Sequence, residues 1–180
     1  MVNRDCSQPI SQLSNIVLVL ALSRSSAHNF VGYHGCSPGQ HPVDLVSACE
    51  CIAGRGIRGD RFYDHPGNTV RQITFFASGV LDALKADGRW PAVSFAATRR
   101  NVLLETADLN SLVNREFEIQ GVRFWGTEEC RPCYWMDQAI GPGAEQWLKG
   151  RGGLRAQILS DGWLTVSRLP PFPPAPAEKL

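Results

Sequence analysis

Turn-forming residues cut this chain at short intervals, and that spacing limits its fold more than any other feature. Gly54-Arg55-Gly56, Gly59, Gly88, Pro91, Gln120-Gly121, Gly141-Pro142, Gly150-Arg151-Gly152-Gly153 and Asp161-Gly162 leave little room for long helices. Between them lie short apolar or alternating runs at residues 16–22, 43–53, 72–76, 99–104, 117–119, 122–124, 154–159 and 163–168. Runs of that length, rich in β-branched and aromatic residues, read as strands. Gln120-Gly121 predicts one hairpin, and Asp161-Gly162 is the strongest hairpin signal in the chain. Helical spacing is confined to residues 77–86, 106–113 (capped by Thr106 or Asp108), 134–140, and a helix opening at Pro142 and running to Lys149. Helices and strands do not alternate regularly enough for a doubly wound sheet. The expected fold is therefore mostly β: a closed or partly closed, mainly antiparallel β-barrel with a few short peripheral helices.

A chain of 180 residues suits one domain. We place a flexible leader at residues 1–13, the domain at 14–168 and a proline-rich tail at 169–180. With 43% apolar residues and a net charge of +1, the chain is neither a disordered polymer nor a generally basic nucleic-acid binder. No run of eighteen apolar residues suggests a spanning helix, so neither nucleic acid nor membrane is expected as a partner. The apolar run at 16–22 begins fifteen residues in, after Asp5, and no clear small-x-small site follows. It reads as a buried strand rather than a signal peptide, and a cytoplasmic home with reduced thiols is expected. Fifteen arginines stand against three lysines, which reflects either base composition or a need for bidentate donors to phosphate and carboxylate.

The chemistry concentrates at Glu129-Cys130-Arg131-Pro132-Cys133-Tyr134-Trp135. Two thiols three positions apart flank Arg131, whose permanent charge favours a thiolate, the form that attacks or ligates. A structural half-zinc site, a dithiol redox or sulfur-relay pair without metal, and a sulfur that meets a soft metal or carries a sulfur atom all fit. So does a pair of buried small hydrophobes. Cys49 and Cys51, two apart in a strand, share a face and would complete a Cys₄ zinc site with Cys130 and Cys133, though with low specificity. His28, His34 and His41 fall in a turn-rich loop without compact zinc spacing and read as loop packing. The segment Gly54-Arg55-Gly56-Ile57-Arg58-Gly59-Asp60-Arg61-Phe62 lets backbone approach a ligand and could form an anion nest.

Taken in order, five elements resemble the MOSC domain, the module found at the C-terminus of molybdenum cofactor sulfurases. They are Gly56-Ile57-Arg58-Gly59-Asp60-Arg61, Arg99-Arg100-Asn101, Asp108–Val113 with Phe117–Gly121, Cys130-Arg131-Pro132-Cys133, and Gly150–Arg155. The resemblance runs from about residue 16 to 168 and implies a β-rich barrel-like fold. It implies a cysteine that carries sulfur or ligates molybdenum, with the molybdenum cofactor (molybdopterin) held by basic and amide side chains. Catalytic relatives reduce N-hydroxylated compounds. The Pro-Cys-aromatic element of several stand-alone relatives maps onto Pro132-Cys133-Tyr134. Cys133 is thus the expected ligand or sulfur carrier, with Cys130 as its companion. Arg99 and Asn101 match an Arg-x-Asn element near the cofactor, and Asp60, Arg61, Arg131 and Arg151 complete the expected binding set. Implied partners are a sulfur donor such as a cysteine desulfurase, or the machinery of molybdenum cofactor synthesis. The family also carries an association with pyridoxal phosphate, for which Lys85, Lys149 and Lys179 offer no suitable context. The desulfurase domain, the extra β-barrel and the second, later cysteine of larger relatives have no counterpart in this stretch, so binding or sulfur carriage is expected ahead of full catalysis.

Overall fold

The computed structural model describes residues 17–29, 37, 39–67, 69–106 and 108–167. The expected leader and tail, with Cys6, His34 and Cys36, lie outside the described residues. The strands are β1 (Val19–Arg24), β2 (Asp44–Val46), β3 (Ala48–Ile52), β4 (Gly56–Ile57), β5 (Ile73–Ala77), β6 (Val102–Leu104), β7 (Glu116–Ile119), β8 (Val122–Glu129), β9 (Leu154–Ile158) and β10 (Gly162–Thr165). Three short helices accompany them: α1 (Ser78–Ala86), α2 (Trp135–Ala139) and α3 (Ala144–Trp147).

All five residues of β5 are buried. That is why its run is apolar except at Thr74, whose hydroxyl donates to Asn101 Oδ1, while β8, covered less completely, alternates. Phe75 faces one core, its ring 5.5 Å from Phe117 and 5.3 Å from Phe124, while Phe76 belongs to a second core with Leu81, Leu84, Met136 and Leu148. The main sheet therefore has apolar layers on both sides, one built with the small sheet and one with the helices. Each buried phenylalanine contributes about 1.5–3 kcal/mol of transfer free energy. β5 and β6 run parallel, and α1 supplies part of the crossover that parallel neighbours need.

A mostly β fold with few short helices matches expectation, but hydrogen bonding among the described residues does not close a barrel. The pairings give a seven-stranded sheet, β2-β1-β6-β5-β9-β8-β7, and a separate three-stranded sheet, β10-β3-β4. Backbone bonds lace the two together: Ser167 N donates to Val19 O at 2.8 Å and Gly54 N to Ile158 O at 3.0 Å.

The hairpin expected at Asp161-Gly162 does not form. β9 already has β5 and β8 as neighbours, so the reversed chain enters the other sheet, where β10 pairs with β3 and buries Leu164. Asp161 Oδ1 accepts from Ala53 N at 2.7 Å and fixes the corner. The run expected as one strand over 43–53 is two strands, β2 and β3, in different sheets. Residues 106–113 yield only a 3-10 turn at Asn110–Leu112, because Asp108 Oδ1 accepts from Asn110 N and Ser111 N and caps a turn too short to propagate. Pro142 does not open its helix. α3 starts at Ala144, after Gly143 in the left-handed region at φ 86°. The Gln120-Gly121 hairpin forms as expected, with φ of 51° and 81° at the two turn residues.

Candidate functional site

β8 ends at Glu129, and the two thiols follow in a loop that is held from behind. Cys130 N donates to Gly153 O at 2.7 Å. Arg100, only 7% exposed, donates through Nη2 to Cys130 O (2.9 Å), through Nε to Gly152 O (2.9 Å) and through Nη1 to Thr98 O (2.7 Å). A Cβ on Gly152 would come within 2.4 Å of Cys130 O and 2.9 Å of Pro132 Cδ. The glycines at 152–153 thus serve close backbone approach rather than anion binding. This leaves Cys130 buried and Cys133 exposed.

Beside the loop opens a cavity of about 220 Å³. Cys130, Arg131 and Cys133 reach it from the loop, Arg61 and Arg99 from the turns before β5 and β6, and Arg155 from β9. Six of its fourteen lining residues are arginine, and none is Asp or Glu. The chemistry of this lining selects for negative charge.

Asp60 and Asn101 do not line the cavity but support it from the interior. Asn101 Oδ1 accepts from Thr74 N (3.1 Å) and Thr74 Oγ1 (2.8 Å), and its Nδ2 donates to Ser23 O and Asp60 Oδ2, both at 3.2 Å. The Asp60 carboxylate accepts from Ser25 N at 3.2 Å and Phe62 N at 3.1 Å, and stands 3.5 Å from Arg61 Nη1. Arg151 lies elsewhere, over the Trp147 ring at 4.3 Å beside a separate crevice with Asp108 and Asn110. Of the glycine–arginine turn at 54–62, only Arg61 and Phe62 line the cavity. Arg55 and Arg58 pair with Asp64 and Glu50 toward solvent.

Arg99 sits at φ 53°, a left-handed position that aims its side chain back across the turn. Its Nη2 donates to Ala27 O at 3.1 Å and Ser25 Oγ at 3.3 Å, while its buried Nη1 has no hydrogen-bond partner. Burial first, and then Arg61, lower its pKa to about 10, with Asp60 opposing. Burial likewise lowers Arg61. Burial also works against the charge on Arg155, yet the neighbouring Cys130 sulfur and Glu128 at 2.7 Å hold its pKa above the ordinary value. The cation expected from Arg131 is thus joined by Arg155 from another strand. His28, edge-on to Phe62 at 4.8 Å between ring centroids, is held below its ordinary 6.5 by burial, Arg61 and Arg99, so its imidazole is neutral at pH 7.

The Cys₄ zinc arrangement does not form. Cys49 and Cys51 sit in the core, and among the described residues no group of three or more His, Cys, Asp or Glu is placed to hold a metal ion. Lys85 and Lys149 are exposed and do not line the cavity.

Sequence reasoning missed His28, Phe62, Arg71, Thr74, Arg100, Trp135 and Arg155 as cavity residues. Arg155 lies in an alternating strand, Leu154-Arg155-Ala156, whose pattern says that it points away from the core but not toward a site. His28 resembled loop packing because its neighbours Arg61 and Arg99 are distant in sequence.

The model of the MOSC domain family matches residues 63–166. The crystal structure of the YuaD protein from Bacillus subtilis superposes with a TM-score of 0.66 at 15% identity, covering 83% of this chain and 91% of that one. YiiM from Geobacillus stearothermophilus gives 0.56 at 9% identity, with coverages of 83% and 71%, and YiiM from Escherichia coli gives 0.53 at 13%, with 81% and 71%. At such identities the likeness speaks for the fold. No curated protein matches the sequence. Taken with the residues matched, the family model settles descent: the chain belongs to the MOSC domain family.

Proposed function

We propose that this domain binds a molybdenum cofactor, with Cys133 ligating the metal or carrying sulfur for it. The observation that carries the reading is a single one: an exposed thiol on a cavity whose charged lining is entirely guanidinium. Thiolate suits a soft metal, and guanidiniums suit the phosphate of a pterin. The unpartnered, buried Nη1 of Arg99 is the orphaned donor that an anionic ligand would satisfy. At about 220 Å³ the cavity is smaller than the roughly 300–1,000 Å³ that encloses a whole drug-sized ligand. A pterin cofactor would accordingly be held by one end, with the rest outside.

In this reading Cys133 supplies the sulfur ligand, Arg61, Arg99, Arg131 and Arg155 neutralise the anionic end, and Asp60 and Asn101 hold Arg61 and the strand ends in place. The neutral His28 offers a hydrogen bond without adding charge. When bound, the cofactor would supply two-electron redox chemistry suited to N-hydroxylated compounds. In the sulfur-carrying version, the exposure of Cys133 suits delivery by a separate donor such as a cysteine desulfurase.

Protein made in a host competent for molybdenum cofactor synthesis should carry molybdenum and pterin, read by elemental analysis and by fluorescence of the oxidised pterin. Cys133→Ala should retain at least about tenfold less molybdenum. Equal retention by the variant, together with unchanged persulfide labelling, sinks the assignment. Turnover of an N-hydroxylated base by loaded protein tests the enzymatic version.

A further inference from the structure

We propose that Cys130 and Cys133 exchange reversibly with small disulfides, Cys133 reacting first and Cys130 resolving it to an intramolecular disulfide, an activity that needs no metal. Both thiols line one cavity, and their exposures differ as the two roles require: Cys133 is open to a reagent, whereas Cys130 is 5% exposed. The backbone of Cys130 is fixed on both sides, its N–H by Gly153 O and its carbonyl by Arg100 Nη2. Arg155 and Arg61 line the same cavity as Cys130, so both guanidiniums lie within electrostatic reach of its sulfur. Positive charge there stabilises the negative charge on a sulfur as it attacks or leaves. A resolving thiol whose backbone is pinned thus shares a cavity with guanidiniums and with an accessible thiol three residues on. The other described cysteines, Cys49 and Cys51, are enclosed in the core and do not line the cavity, so among the described residues Cys133 is the one thiol open to a reagent and Cys130 the one that shares its cavity.

With glutathione disulfide as oxidant, the Cys133 thiolate attacks one sulfur, a Cys133–glutathione bond forms, and one glutathione leaves as thiolate and takes a proton. The Cys130 sulfur then attacks Cys133 Sγ. The Cys130–Cys133 bond forms and the second glutathione leaves, so the two electrons lost by the protein reduce one disulfide to two thiols. The bridge also removes the thiolate that a bound metal would need, a consequence that rests on the cofactor reading although the exchange itself does not.

The test uses the full chain without cofactor, incubated with excess glutathione disulfide, quenched in acid at timed intervals, and read by intact mass and peptide mapping. The parent protein should lose two hydrogens and yield a Cys130–Cys133 cross-linked peptide. Cys130→Ser should stop at one glutathione adduct on Cys133, and Cys133→Ser should form neither product at this pair in the same time. Arg155→Gln should accumulate the mixed disulfide and resolve it about tenfold more slowly, with Arg155→Lys restoring the rate. Circular dichroism confirms that each variant folds. A parent protein that keeps the adduct on Cys133 without bridging to Cys130, or that bridges either thiol to another cysteine, overturns the proposal. Either result leaves the molybdenum measurement unaffected, and absence of molybdenum leaves this exchange unaffected.

Discussion

Arg99 and Arg100 are neighbours in sequence and face opposite tasks. All three donor positions of Arg100 reach backbone carbonyls, so its charge is absorbed into holding the cysteine loop. Arg99 keeps a buried Nη1 without a partner. Arg100→Met should cost about 3–5 kcal/mol, since it strands three buried carbonyls and removes a charge-assisted anchor, and faster hydrogen exchange over residues 130–153 should accompany the loss. Arg99→Met should cost under about 1 kcal/mol by urea denaturation yet lower cofactor retention, because no protein acceptor loses its sole donor. Asn101→Ala should cost about 2–3 kcal/mol, as it leaves the Thr74 amide and the inner oxygen of Asp60 without their amide partner. For His28, the folded chain resists a proton that the unfolded chain accepts near 6.5. The unfolded state therefore binds more protons below neutrality, and stability falls as pH drops through that value. His28→Gln should flatten this slope between about pH 7.5 and about pH 5.5 in urea titrations.

The site depends on where elements end rather than on what they are. β8 stops at Glu129, β9 begins at Leu154, and the glycines before β9 bring that strand against the cysteine loop and β5. Gly153, at φ 102°, leaves no room for a Cβ, which would sit 2.2 Å from Phe75 O. Gly152→Ala should push the loop at Cys130 and Pro132 outward, costing about 1–3 kcal/mol and reducing cofactor retention together. Normal retention at normal stability would show that the close approach is dispensable. Turn chemistry was legible where the turn itself decides pairing, as at Gln120-Gly121. It misled at Asp161-Gly162, where the reversal is real but the partner strand is chosen by vacancy and burial.

Across the whole molecule, the seven-stranded sheet carries one core on each face, and the cavity forms where loops from distant stretches converge at strand ends. The thiol pair and Arg61 were readable from sequence because each sits in a local motif with a physical reason for its residue types, whereas Arg99 came from the resemblance to the MOSC domain. Arg155 and His28 were not, because nothing local marks an alternating strand position or a loop histidine as facing a cavity. Arg151 shared the local signature of its glycine-rich turn yet faces Trp147, since a turn specifies backbone shape and not the direction of a side chain. By itself the sequence determined strand-scale segmentation, a β-rich fold and a dithiol loop, all of which follow from periodicity and from the φ/ψ freedom of individual residues. Only the tertiary structure decided which strands pair, which cysteine is exposed, and which arginines surround it, because those outcomes depend on burial and on edges left free by contacts far apart along the chain.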